Sequence, residues 1–215
     1  NSSLTESHIH KEINSFAKNY KKYFKTNSKG KKLKILSPFP NLIWVKGMGL
    51  IGVSNSKASA RITADLGEQN LRIFLDFLKT KKRYVSLKEE DLFEMEYWSL
   101  EQAKLGKKKT QQFEGKVVLI TGGAGTLGLE TAKRFHELGA NIYLVDQDLN
   151  KLEEALTLFS NNAAGITKDL TNKNECNEVI ENCVDEFGGI DILISNAGKA
   201  FEGEMHEISE DQINE

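Results

Sequence analysis

Val117-Val118-Leu119-Ile120-Thr121-Gly122-Gly123-Ala124-Gly125-Thr126-Leu127-Gly128 decides the fold of this chain. An apolar run entering a glycine-rich turn, with an amphipathic helix predicted over 126–138, reads as strand, loop and helix. The turn's N–H groups and the positive helix end can receive a diphosphate, and glycines permit the approach because side chains would block it. By itself the turn suits a tight, ligand-free strand-to-helix connection equally well, so the residues around it carry the decision.

Outward from the turn the pattern alternates. Strands are predicted over 117–120, 141–145, 165–168 and 190–194, with helices over 149–159 and 172–187 between the later ones. Apolar strands alternating with helices imply right-handed parallel crossovers, hence an α/β fold: a partial Rossmann doubly wound parallel sheet, its first four strands. Asp146 ends the second strand 24 residues after Gly122. A carboxylate there can accept both hydroxyls of an adenine ribose and repels a 2′-phosphate. Asp148 stands too far along the turn and no arginine lies nearby, so the expected cofactor is NAD rather than NADP.

Asp191-Ile192-Leu193-Ile194-Ser195-Asn196-Ala197-Gly198 closes the fourth strand. With the glycine loop, it resembles the short-chain dehydrogenase/reductase family, whose fourth strand ends in an Asn-Ala-Gly motif supporting the sheet and bordering the cofactor ribose. The resemblance implies cofactor contacts from Gly122, Gly123, Ala124, Gly125, Thr126, Leu127 and Gly128, from Asp146, from the adenine-contacting pair Asp169 and Leu170, and from Asn196, Ala197 and Gly198. Thr126 departs from the pattern, since compact members of the family carry glycine there. The spacing of Gly122, Gly125 and Gly128 instead fits the extended members that act on nucleotide sugars. The fourth-strand motif favours the compact branch. In that family a tyrosine serves as general acid/base, a lysine lowers its pKa and a serine orients the substrate, all beyond the fourth strand. No catalytic residue is therefore assigned, and the chain alone is expected to be inactive. Tyr84-Val85-Ser86-Leu87-Lys88 matches Tyr-x-x-x-Lys but precedes the nucleotide loop, which the topology forbids for the catalytic pair.

The first half differs in charge. Residues 1–114 hold 22 Lys+Arg against 12 Asp+Glu, whereas residues 115–215 hold 7 against 19, although the whole chain is only −2. The lysines are scattered without a nucleic-acid motif, so they read as solvated faces. A helix is predicted over 5–26, a buried strand over 42–45 closed by a turn at 47–49, and a long helix over 57–79. The buried side of that helix is expected to be Ile62, Leu66, Ile73, Phe74, Phe77 and Leu78, with Gly67 as its weak point. Ser86-Leu87-Lys88-Glu89 and Ser99-Leu100-Glu101-Gln102 each match a capping box that starts a short helix. Residues 107–114, polar and aperiodic at their core, are expected to be a linker between domains at 1–106 and 115–215.

Cys176 and Cys183 lie on one predicted helix, which suits buried thiols better than a disulfide or metal knuckle. His8 and His10 have a metal-ligand spacing, but on a helix two positions apart they point away from each other, so no metal site is assigned. No apolar run is long enough for a membrane span or a secretion signal.

Gly47-Met48-Gly49-Leu50-Ile51-Gly52-Val53 and Glu96-Tyr97-Trp98-Ser99-Leu100-Glu101-Gln102-Ala103-Lys104-Leu105 resemble the bifunctional rhamnulose-phosphate aldolase/alcohol dehydrogenase family. There a class II aldolase-like domain precedes a short-chain dehydrogenase. The resemblance implies a fragment of a cytoplasmic oxidoreductase of carbohydrate metabolism, a homo-oligomer that moves hydride between NAD and a small alcohol or aldehyde. No nucleic acid or membrane partner is expected. A non-catalytic nucleotide-binding module and a nucleotide-sugar epimerase or dehydratase are the alternatives.

Overall fold

The computed structural model describes residues 5–80, 82–100, 111–159 and 162–198. It divides into two compact units, one of residues 1–54 and 59–109 and one of residues 55–58 and 110–215.

In the first unit, α1 spans Glu6–Asn27, with Thr5 accepting from the His8 amide as its N-cap. Its apolar stripe meets α3, Glu89–Glu96, around Phe93, which is buried against Tyr23, Phe24 and Tyr97 at ring separations of 5.6, 6.0 and 4.5 Å. The Tyr20 hydroxyl lies 2.7 Å from a Glu96 oxygen and 2.8 Å from the Tyr97 hydroxyl, which also receives the Leu36 amide. Burial and these partners push the Tyr20 phenol far above its ordinary range.

The strand predicted at 42–45 is β1, Leu42–Val45, but the turn after it leads into a partner the sequence did not announce. That partner is β2, Gly49–Gly52, antiparallel to β1 with Val45 opposite Gly49. Gly47 at φ 83° and Gly49 at φ 125° supply the left-handed backbone the short connection needs. The long helix α2 runs over Lys57–Lys79 as predicted, yet its expected buried side is wrong. Ile62, Leu66, Ile73, Phe74 and Leu78 are all exposed, and its buried residue is Gly67. A Cβ on Gly67 would stand 2.8 Å from Leu42 Cδ2 and 2.9 Å from Leu50 Cδ1, so the hairpin packs on the small-residue face. Periodicity finds an apolar stripe but not the side a neighbour occupies.

The Ser86 capping box also fails. Helix α3 begins three residues later behind Lys88, without a side-chain cap, and Ser86 lies in extended chain. Ser99 and Leu100 are helical, and the remainder of that second box lies outside the described residues. Tyr84 stacks edge-on against Phe74 and Phe77 at 5.3 and 5.7 Å, a packing role rather than a catalytic one.

In the second unit the sheet comprises β3 (Val117–Thr121), β4 (Asn141–Asp146), β5 (Ala163–Thr167) and β6 (Ile192–Ile194), all parallel in the order β5-β4-β3-β6. Crossovers α4 (Thr126–Glu137), α5 (Leu149–Thr157) and α6 (Lys173–Phe187) cover it. Alternate residues of the central strands feed two cores. Val118, Ile120, Ile142 and Leu144 pack with Ala132 of α4 and Leu152 of α5, while Leu119, Tyr143 and Val145 pack with Val179 and Cys183 of α6. Helices therefore lie on both faces, and each buried aliphatic side chain contributes about 1.5–3 kcal/mol.

Of the predicted linker, residues 107–110 lie outside the described residues, and 111–114 make contacts within the second unit. The Phe113 amide bonds Leu138 O at 2.9 Å, its ring meets Phe135 at 4.9 Å, and Gln111 Nε2 donates to Glu137 O. Polar composition concealed one aromatic anchor. Among the described residues, no helix is long and apolar enough to cross a membrane.

Candidate functional site

The C-terminal ends of β3, β4 and β6 converge on the glycine turn. Gly122 leaves β3 at φ 59°, where a Cβ would meet Ala197 Cα at 3.0 Å. Its carbonyl receives the Gly125 amide at 3.1 Å, and a Cβ on Gly128 would press to 2.2 Å of that same oxygen. Gly123 is pinned by its amide to Val145 O at 3.0 Å, with Leu144 too close for any added carbon. These three positions require glycine because backbone or packed side chains occupy the space, and Gly125 serves as the N-cap of α4.

Leu129 N to Gly125 O is the first bond inside α4. The amides of Thr126, Leu127 and Gly128 precede it and have no acceptor within the helix, so they present donors at its positive end. Leu127's side chain is exposed there.

Asp146 faces this loop from the end of β4. One carboxylate oxygen accepts the Ala124 amide at 3.0 Å and the other the Asp148 amide at 3.2 Å. Each carboxylate oxygen has two acceptor sites, so capacity remains for hydroxyl donors. Asp148 is instead the N-cap of α5, and the Lys151 amide holds its carboxyl below the usual carboxylate range. After β5, Asp169 accepts both the amide and the hydroxyl of Thr171 through Oδ1, which lowers its pKa. Leu170 packs with the second core.

Asn196 and Ala197 join the loop directly. The Asn196 Nδ2 donates to Thr121 O at 3.0 Å and Gly122 O at 3.2 Å, and both backbone amides donate to Thr121 Oγ1 at 2.9 Å. Gly198 has nothing within 4 Å of an added Cβ. The structure thus gathers the loop, Asp146, Asn196 and Ala197 at one sheet end, whereas the carboxylate of Asp169 is engaged locally by Thr171.

Two residues escaped the sequence reading. The Thr121 hydroxyl gathers two amides from 75 and 76 positions on, which no local spacing signals. Asp191 clamps the strand starts opposite the site, accepting Lys116 Nζ at 2.7 Å and the Val117 amide at 2.9 Å. Cys183 is fully buried, which pushes its thiol up to about 11, and Cys176 Sγ donates to Leu170 O. His8 and His10 lie on α1, His10 beside Glu6 at 3.6 Å.

A parallel sheet wrapped on both faces, with a glycine loop at its carboxyl ends, defines the nucleotide-binding class of α/β protein. A family model for short chain dehydrogenase matches residues 116–215, and one for aldolase class II, second domain, matches residues 1–105. The chain is thus similar to a class II aldolase second domain in its first part and to a short chain dehydrogenase in its second. It is 27% identical over 203 residues to the "Uncharacterized oxidoreductase YuxG" of Bacillus subtilis (strain 168), covering 92% of this chain and 29% of the relative. That single alignment runs through both segments. Over 100 residues it is 36% identical to the (2S)-[(R)-hydroxy(phenyl)methyl]succinyl-CoA dehydrogenase subunit BbsD of Thauera aromatica, covering 45% of this chain and 40% of the relative. A short chain dehydrogenase structure from Bacillus anthracis str. 'Ames Ancestor' aligns with TM-score 0.44 and 34% identity, covering 46% of this chain and 42% of the other. The chain spans less than half the length of each.

Proposed function

We propose that residues 115–215 are the NAD-binding half of a short-chain dehydrogenase within a bifunctional aldolase/alcohol dehydrogenase of sugar breakdown, cytoplasmic and homo-oligomeric. One observation carries the reading: the Asp146 carboxylate borders a loop whose helix-end amides face the same end of the sheet. The residues suit the dinucleotide. A diphosphate needs convergent N–H donors and no intruding Cβ, which Gly122, Gly123 and Gly128 provide with Ala124, Gly125, Thr126 and Leu127 around them. Asp146 would accept the ribose hydroxyls and repel a 2′-phosphate. Asp169 and Leu170 would border the adenine, with Asn196, Ala197 and Gly198 beside the second ribose. When bound, NAD would supply the hydride acceptor for a small alcohol or aldehyde. The relatives named as oxidoreductase and dehydrogenase support that chemistry.

Calorimetric titration of the 215-residue chain with NAD and with NADP tests the proposal. NAD is expected to bind and NADP to bind at least about tenfold more weakly, a difference of about 1.4 kcal/mol. Equal or undetectable binding of both sinks it. Assaying the longer protein with a short hydroxyaldehyde and with a nucleotide sugar then separates a dehydrogenase from an epimerase.

A further inference from the structure

Among the described residues, two buried side-chain polar atoms lack a hydrogen-bond partner, Asn141 Oδ1 and Thr167 Oγ1. An orphaned buried oxygen costs stability, so each calls for a physical reason. Asn141 opens β4, at the end of the sheet away from the glycine turn, and its Nδ2 still reaches Lys116 O at 3.4 Å. Thr167 closes β5 at the carboxyl end, directly opposite Asp146 in the parallel register.

Paired residues of neighbouring parallel strands project to the same face, with the strands about 4.8 Å apart. That face is the one α5 covers: two residues before Thr167, a Cβ on Gly165 would stand 3.0 Å from Leu152 Cδ1. The Thr167 hydroxyl and the Asp146 carboxylate therefore neighbour one another, yet the carboxylate accepts from the Ala124 and Asp148 amides. Toward an alcohol the two groups are complementary. An ionised carboxylate only accepts, so a ribose hydroxyl gives Asp146 its one proton and keeps two lone pairs, for which a threonine O–H is a donor. Thr167 is itself half-buried, and one step of χ1 moves its hydroxyl between staggered positions without disturbing the backbone. We infer that Thr167 is a further residue of the nucleotide site, its hydroxyl donating to the adenosine ribose hydroxyl that Asp146 accepts from. The inference rests on the nucleotide reading of this end of the sheet.

Calorimetry and urea unfolding of the 215-residue chain test it together. Thr167→Val keeps the shape and the β-branch but removes the O–H. NAD affinity is expected to fall about fivefold, the weight of one neutral hydrogen bond. The urea midpoint without nucleotide is expected to stay level or rise, because an unsatisfied group has gone. Thr167→Ser keeps the hydroxyl and is expected to hold NAD affinity within about twofold of the parent. The loss in Thr167→Val is expected to recur with ADP and to vanish with 2′,3′-dideoxy-ADP, which lacks the ribose hydroxyls. Unchanged NAD affinity in Thr167→Val overturns the inference alone. So does an equal loss in Thr167→Ser, a loss that the dideoxy ligand shares, or one matched by a lower urea midpoint. A parent that binds neither NAD nor ADP removes the inference and the nucleotide reading together.

Discussion

The Asn196 side-chain amide donates to the Gly122 carbonyl at 3.2 Å, tying the end of the sheet's edge strand to the first residue of the glycine turn. Because the same nitrogen also reaches Thr121 O, Asn196→Ala strips two carbonyls of a partner in a half-buried place. Loss of about 1–3 kcal/mol of stability is expected, read as a lower urea midpoint. An unchanged midpoint would show that water replaces the amide without cost.

Gly128→Ala and Gly189→Ala should part company. The first drives a carbon to 2.2 Å from Gly122 O, backbone that cannot swing aside, whereas the second meets nothing within 4 Å. Nucleotide affinity by calorimetry is expected to fall at least about tenfold for Gly128→Ala and to change less than about twofold for Gly189→Ala. Similar affinities in both variants contradict the loop's assigned role.

Asp146→Ala removes the acceptor of the Ala124 and Asp148 amides and the charge beside the loop. Weaker NAD binding and a relaxed preference against NADP are expected, measured as the ratio of their dissociation constants. A ratio that does not move counts against Asp146 as the discriminating group.

Asp191 gives a pH signature. The Lys116 ammonium first, then the Val117 amide, hold its carboxyl below the ordinary carboxylate value. A depressed native pKa means that its stabilisation is present above the unfolded value of about 3.9 and drains away as pH falls through the native value. The carboxylate is 35% exposed, so solvent screening keeps the contribution modest. Urea midpoints measured from neutral pH down to acid should therefore fall less steeply for Asp191→Asn than for the parent. Parallel curves would remove Asp191 from the acid response.

Much of the second unit was legible because its signals are local. Apolar strands of three to six residues, amphipathic helices and glycine turns repeat at short spacing, and observed boundaries differ from the predicted ones by a few residues. The packing of Phe113 against Phe135, within the expected linker, was not legible because a single aromatic makes no periodic pattern. Capping at Ser86 failed for a related reason: the hydroxyl and acid spacing was present, but the chain stays extended through Lys88 before Glu89 begins the helix.

Sequence alone determined the element types, the parallel α/β character and the positions where glycine, Asp146 and Asn196 gather, since these depend on backbone sterics and hydrophobic period. Only the tertiary structure decided which face of α2 meets the hairpin, that Thr121 holds Asn196 and Ala197, and that Asp191 fastens the strand starts. Those outcomes rest on which surfaces and polar atoms meet across distant stretches of chain. A side chain's own neighbours in sequence carry no record of that meeting.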